Sequence, residues 1–262
     1  MSTLDNYTTA TRPAAASNTG LCIFNTDNDS IEVSDGTSYL SYASDGFTVG
    51  PSTHSADFDG TNDRVEIGNA TVLNGVSAFS LSCWIKSSAT VTSTFDLFSS
   101  GDGFTNGIFL YLTPTGLDFG VGGGGSDWDG IRYGTSLTDG TWKHLAFTFN
   151  SSTFAFYLNG SLTSVSQIGS STISSTVSTA GNGSHIASRV DDTREYAGYM
   201  DDFAIFNAAL SANEALNIKA HSIYPTTIEH LYKFDNNYND SIGALNGTAQ
   251  GDPQFQSSVV RP

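Results

Sequence analysis

Cysteine, basic side chains and glutamate are all scarce in this chain, and each scarcity closes off a class of protein. Two cysteines among 262 residues cannot build the disulfide lattice of a small secreted scaffold, and a chain of this length buries a core without one. Cys83 falls in an apolar strand phase with Phe79, Leu81 and Ile85, while Cys22 lies far off between Leu21 and Ile23. Two free thiols are therefore expected rather than a bridge. Ten Lys and Arg stand against 26 Asp and Glu, a formal charge of -16. With no basic run to offset it, such a surface repels nucleic acid and anionic membranes alike. No stretch reaches the roughly 18 consecutive apolar residues of a membrane span, and the leading MSTLDNYTTATRP lacks the apolar core of a signal peptide. The expected product is soluble, made in a cytoplasm and not exported by the general secretory route.

Only five of the acids are glutamates (Glu32, Glu66, Glu195, Glu214, Glu229). They form no E-x-D-x-E run of the kind that sets an acid and a nucleophile on either side of a glycosidic bond. Glu66, alternating with Val65 and Ile67, reads as a solvated strand residue. The five histidines (His54, His144, His185, His221, His230) include no close pair suited to zinc, and no serine stands in a nucleophile elbow. No catalytic, cofactor-binding or metal-binding residue is assigned on these grounds, and hydrolysis is not expected.

What the chain has in quantity is glycine and aromatics, 27 Gly against six Pro with 12% Phe, Trp and Tyr. That mixture suits many short strands joined by tight turns and argues against disorder. The stretch TWKHLAFTFNSSTFAFYLNG, Thr141 to Gly160, is the centre of the pattern. Leu145, Phe147 and Phe149 alternate with His144, Ala146 and Thr148, and the alternation resumes at Phe154, Phe156 and Leu158. Asn159-Gly160 accepts the positive φ angles of a tight hairpin turn, which predicts a third strand over Ser161 to Gln167. One apolar face of such a meander needs a second sheet to cover it.

Further strands are expected at Arg64 to Ile67, Ala78 to Lys86, Phe95 to Phe98, Ile108 to Leu112, Leu117 to Val121, His185 to Ser188 and Ala197 to Phe206. Gly122 to Gly125 reads as a loop, with neither the Lys-Ser/Thr nor the helix that would make it a phosphate cradle. One helix is expected from Ser211, with Glu214 three residues on as a capping box, to about Ala220. Ahead of this series, short strands at Leu21 to Asn25, Ser30 to Ser34 and Ser38 to Tyr42 make a core too small to stand alone. Three segments follow: 1–52, a β-module for attachment or oligomerisation; 53–222, the main β domain; and 223–262, a C-terminal segment.

The motifs FDGTNDRVEI (Phe58 to Ile67), FSLSCWIK (Phe79 to Lys86), DGTWKHLAFTFN (Asp139 to Asn150), FYLNG (Phe156 to Gly160) and GYMDDFAIFNAALSANEA (Gly198 to Ala215) resemble, in order, those of the laminin G-like, concanavalin-like jelly-roll family. The resemblance implies an all-β fold, a two-sheet antiparallel jelly-roll sandwich. In that family the domain usually opens with a strand like LYKFDNNYNDSIGALNGTA, ahead of the FDG motif; here it lies at Leu231 to Ala249. The segment would return to its own sandwich as a circular permutation, add to a neighbouring subunit, or lie loose as part of a second repeat. The first two are favoured, because Leu231, Tyr232, Phe234 and Tyr238 are costly to leave in water.

The N-terminal segment is similar to short β-modules of tailed-bacteriophage structural proteins, through Arg12-Pro13, Gly20, Phe24-Asn25-Thr26, Glu32-Val33 and Asp35-Gly36. That resemblance implies a non-enzymatic structural protein on the virion surface, a capsid decoration or tail fibre, with a major capsid or tail protein as partner and a homotrimer as assembly. The alternative is a carbohydrate-binding adhesin that recognises host surface glycan. Trp128 and Tyr133, beside the glycine run, would stack on a sugar or lid the core; Trp84 and Trp142 read as packing residues. Asp201 shares parity with Phe203 and Ile205, so its carboxylate needs a partner. The family resemblance allows calcium there, with Asp59 or Asp63; the competing expectation is a carboxylate held by backbone amides or paired with Arg64 or Arg189. No other cofactor is expected.

Overall fold

A computed structural model describes residues 5–25, 30–34, 36–43, 47–48, 52–87, 93–101, 106–122, 128–169, 176–179, 183–221, 223–257 and 261. In chain order the strands are β1 (Asn6–Tyr7), β2 (Cys22–Asn25), β3 (Ser30–Ser34), β4 (Tyr39–Ala43), β5 (Phe47–Thr48), β6 (Ser55–Asp59), β7 (Arg64–Glu66), β8 (Ala78–Ser87), β9 (Phe95–Gly101), β10 (Gly107–Thr113), β11 (Gly116–Gly122), β12 (Trp128–Tyr133), β13 (Lys143–Asn150), β14 (Thr153–Leu158), β15 (Ser161–Leu162), β16 (Ser166–Gly169), β17 (Ser184–Ile186) and β18 (Ala197–Phe206). The helix α1 (Ala212–His221) follows, then β19 (Ile223–Tyr224), β20 (Ile228–Tyr232), β21 (Thr248–Gln250) and β22 (Gln254–Gln256). Contacts divide the chain into two compact units, residues 1–49 with 223–226, and residues 50–222 with 227–262.

The smaller unit is a sheet in the order β1-β2-β3-β4, with β1 parallel to β2, and a separate pair of β5 with β19. Beside the buried Ile23 and Tyr224 it holds buried polar side chains, Asn25, Glu32 and Ser34. Arg12 pairs with the buried Glu32 at 2.6 Å, Asn25 donates its side-chain amide to the same carboxylate at 2.9 Å, and the Arg12 guanidinium lies over the Tyr39 ring. Arg12, Asn25 and Glu32 all belong to the N-terminal motif, so its residue types are those of an internal ion-pair network. Arg12→Ala takes the cation from a buried carboxylate and is expected to cost about 3–5 kcal/mol locally. Hydrogen exchange reads this as lost amide protection over residues 22–25 and 30–34; unchanged protection would contradict it.

The larger unit is a sandwich. Its first sheet runs β15-β14-β13-β8-β18-β6-β22, with β20 also on β18, and its second runs β16-β12-β11-β10-β9-β17-β7-β21. In the first sheet Phe147 faces Leu81 on β8 and Phe156 on β14, and the two phenyl rings stack 4.6 Å apart. The sheets meet where Phe119 of β11 reaches Phe147 and Phe98 of β9 reaches Phe203, each at 5.1 Å. Alternating residues thus build one core, in which Cys83 is buried as a thiol.

The C-terminal segment pairs with both sheets of its own chain: β20 with β18, β22 with β6, and β21 with β7. Leu231, Tyr232 and Phe234 are at most 1% exposed. Asp235 ties the segment to the start of β6, its Oδ1 accepting the N–H groups of Thr53 at 2.6 Å and His54 at 3.0 Å. Burial pushes this carboxyl up, but hydrogen bonds from Lys233 and Thr53 outweigh it and hold the pKa at about 2.

Two local features depart from the sequence pattern. The third strand of the meander is only Ser161–Leu162, with Leu162 exposed; the chain then crosses to the second sheet, where β16 pairs with β12. The outward face of β8 and β13 is also buried, because the segment after β18 folds back over it. Ser80 donates to the carbonyl of Ala208 at 2.8 Å and accepts the N–H of Leu210 at 2.9 Å, and Ala215 and Ile218 of α1 are buried. The helix start has the expected reciprocal cap, Ser211 N–H to Glu214 at 2.7 Å and Glu214 N–H to Ser211 at 3.3 Å.

Candidate functional site

The paired acids of the Asp-Asp motif sit on a bulge. The β18 register against β8 shifts between Asp201 and Ala204, and Asp202 takes a φ of 45°. The bulge falls where β18 changes partner from β6 to β20 along one edge. It also corrects the parity argument: Asp201 lies opposite Trp84, on the face away from Phe203. Its Oδ2 accepts the Ser52 hydroxyl at 2.5 Å, its Oδ1 accepts the Asp202 N–H at 2.9 Å, and Arg261 reaches both carboxylates. The partner is therefore Arg261, neither Arg64 nor Arg189. A guanidinium on both acids makes a poor seat for calcium, and Asp59 and Asp63 do not converge there.

Asp59 and Asp63 instead meet Asp252, with one oxygen of each within 4.8 Å of the others. Oxygen donors suit a hard cation, but both oxygens of Asp63 are engaged, accepting the N–H of Asp252 at 2.8 Å and of Asp59 at 3.0 Å. A second trio, Glu66, His185 and Asp192, is bridged by Arg64, which reaches Glu66 at 3.0 Å and Asp192 at 3.1 Å. Both are explained as turn and ion-pair networks.

On the outward side of the second sheet Tyr111 lies between Asp96 of β9 and Asp118 of β11. Glycosidic hydrolysis demands two carboxylates flanking one position, but neither of these is open. Asp118 is fully buried and held by a fork from Arg132 at 2.7 and 2.6 Å. Asp96 is 2% exposed, with Arg194 at 3.8 Å, and burial pushes its carboxyl up to about 7.

The aromatic candidates separate. Tyr133 packs on Phe156 at 5.4 Å and is a lid on the core. Trp128, half-buried at the start of β12, meets Phe109 edge-on at 5.2 Å. The glycine run beside it, 123–127, lies outside the described residues. Trp84 is buried against His144, whose ring nitrogens are kept neutral: burial first, then the charges of Arg261 and Lys219, push its pKa down to about 3.

A pocket of about 310 Å³ opens elsewhere, lined by Asp57, Phe58, Lys86, Ser87, Gly140 and Ala197 to Tyr199. Tyr199 of β18 pairs with Asp57 of β6 on one side and Lys86 of β8 on the other, so three side chains stand in a row across neighbouring strands. The Lys86 ammonium lies 5.6 Å from the Tyr199 ring centre. Burial first, and then nearby Asp63 and Asp59, raise the Asp57 carboxyl against a lowering contact from Gln256. Sequence reading missed this row because its members are far apart in the chain, and no local motif joins them.

The profile of the family described as the concanavalin A-like lectin/glucanases superfamily matches residues 59–215. No curated protein matches the sequence. Among solved structures, a candidate carbohydrate binding protein from Bacteroides ovatus is 16% identical with a TM-score of 0.61, over 89% of this chain and 69% of its own. A heptameric SAP-like pentraxin from Limulus polyphemus is 14% identical with a TM-score of 0.52, over 82% of this chain and 98% of its own. At these identities the likeness is one of fold.

Proposed function

Because the chain belongs to the concanavalin A-like lectin/glucanase superfamily, we propose that it is a non-enzymatic recognition module whose ligand is glycan. The observation that carries this is the row Lys86, Tyr199 and Asp57 at a pocket: an aromatic ring between a donor and an acceptor, on rigid strands. Against catalysis stands the closure of Asp96 and Asp118, since an acid and a nucleophile must both reach the glycosidic oxygen and the anomeric carbon. The described name of the Bacteroides ovatus neighbour is of the same binding class. The test is a glycan array with the full chain, run beside a reducing-sugar assay on soluble β-glucans. Array binding without sugar release is expected; release that disappears in Asp96→Asn would overturn the non-enzymatic reading.

A second proposal concerns where the module acts. The N-terminal unit, whose motif residues Arg12, Asn25 and Glu32 form its internal network, would attach the chain to a capsid or tail protein of a bacteriophage, as a homotrimer on the virion surface. The net charge of -16 suits a solvent-facing position. Antibody labelling of purified particles by electron microscopy tests it; label absent from intact particles rejects it.

A further inference from the structure

The Lys86-Tyr199-Asp57 row has a chemistry that narrows the ligand. Neighbouring strands lie about 4.8 Å apart, so Lys86 and Asp57 stand about two strand spacings apart with the Tyr199 ring between them. At about 310 Å³ the pocket lies at the small end of ligand sites, and Gly140 and Gly198 in its lining add no side chain to fill it. Both charged groups keep hydrogen-bonding capacity. Among the described residues no carboxylate lies within ion-pair distance of Lys86, whose ammonium carries three donors. The hydrogen bond to Asp57 from a side chain is a long one, 3.4 Å from Gln256.

Charge then sorts the ligands. An anionic group would meet Asp57 with Asp59 and Asp63 close behind it, while a cationic group would meet Lys86. A hydroxyl both donates and accepts, so hydroxyls at opposite edges of one ring can bond the carboxylate and the ammonium, with the C–H face of that ring on Tyr199. We propose that this row binds a single neutral pyranose residue of a glycan without a metal ion, Tyr199 supplying the platform, Asp57 the acceptor and Lys86 the donor. The proposal rests on the glycan-binding reading above and deepens it.

The test is saturation-transfer NMR of the full chain against the methyl glycosides of glucose, galactose, mannose and N-acetylglucosamine, and of glucuronic acid, with and without EDTA. At least one neutral glycoside is expected to bind equally well in EDTA. Tyr199→Ala and Asp57→Ala are each expected to weaken it by about tenfold, equivalent to about 1.4 kcal/mol, and Tyr199→Phe to recover most of the Tyr199→Ala loss. Thermal melts of the variants confirm folding, and Lys86→Met provides a third variant should one of them unfold. Binding that survives all three substitutions overturns the site while leaving glycan recognition intact, as does array binding with no methyl glycoside bound. Loss of binding in EDTA, or binding of the glucuronide alone, overturns the metal-free or the neutral assignment. No binding to glycosides or to the array overturns both readings.

Discussion

Deleting residues 227–262 is expected to abolish cooperative unfolding of the sandwich. The segment contributes β20 and β22 to one sheet and β21 to the other, so its loss exposes strand edges on both. It also removes Leu231, Tyr232 and Phe234 from the core, at about 1.5–3 kcal/mol for each buried side chain. The sum approaches the whole stability of an ordinary domain, about 5–15 kcal/mol. Near-UV circular dichroism against temperature checks this; a sigmoidal melt like that of the intact chain would mean that residues 52–222 hold together alone.

Arg261→Met is expected to lower the melting temperature by on the order of 10 °C at neutral pH. The guanidinium lies between two buried carboxylates and 5.6 Å from the Trp84 ring centre, and breaking a buried pair costs about 3–5 kcal/mol. The loss depends on pH with a definite sign. Burial first, and then the neighbouring Asp202, push the Asp201 carboxyl above its ordinary value. At Asp201 the folded chain therefore keeps a proton that the unfolded chain loses once pH exceeds the ordinary carboxylate value of about 4, and this group's contribution to stability declines as pH rises from there through neutrality. Without Arg261 that decline steepens, while Asp201→Asn flattens it. His144 acts oppositely: held neutral in the fold, it costs stability as pH falls below its ordinary value of about 6.5. A melting temperature unmoved by Arg261→Met at every pH would show that the charges are solvated.

The sandwich was legible in the sequence because strand alternation at β8, β13 and β14 is strict and Asn159-Gly160 marks its turn. The capping box at Ser211 was equally local. What escaped detection involves distant residues or breaks the two-residue period. The bulge at Asp201 and Asp202 inverts the face on which a carboxylate is expected, and no residue nearby announces it. Strand β12 escaped because Asp129 and Gly130 interrupt any alternation beside a glycine run. Gly130 is required there, since a Cβ would lie 2.3 Å from the Phe119 carbonyl oxygen. The partners of Asp201, Ser52 and Arg261, come from opposite ends of the larger unit, and Asp57 and Tyr199 of the pocket row are also far apart in the chain.

Closure of the sandwich by its own C-terminal segment is tested most directly by rewiring the chain. Ser52 and Arg261 both reach Oδ2 of Asp201, so the end of the segment lies beside the start of β6. A chain in which residues 227–261 are joined ahead of residue 52 and run on to 222 should melt cooperatively, independent of concentration, within about 5 °C of the parent sandwich. A permuted chain with no cooperative melt, or one that folds only as a dimer, would contradict it.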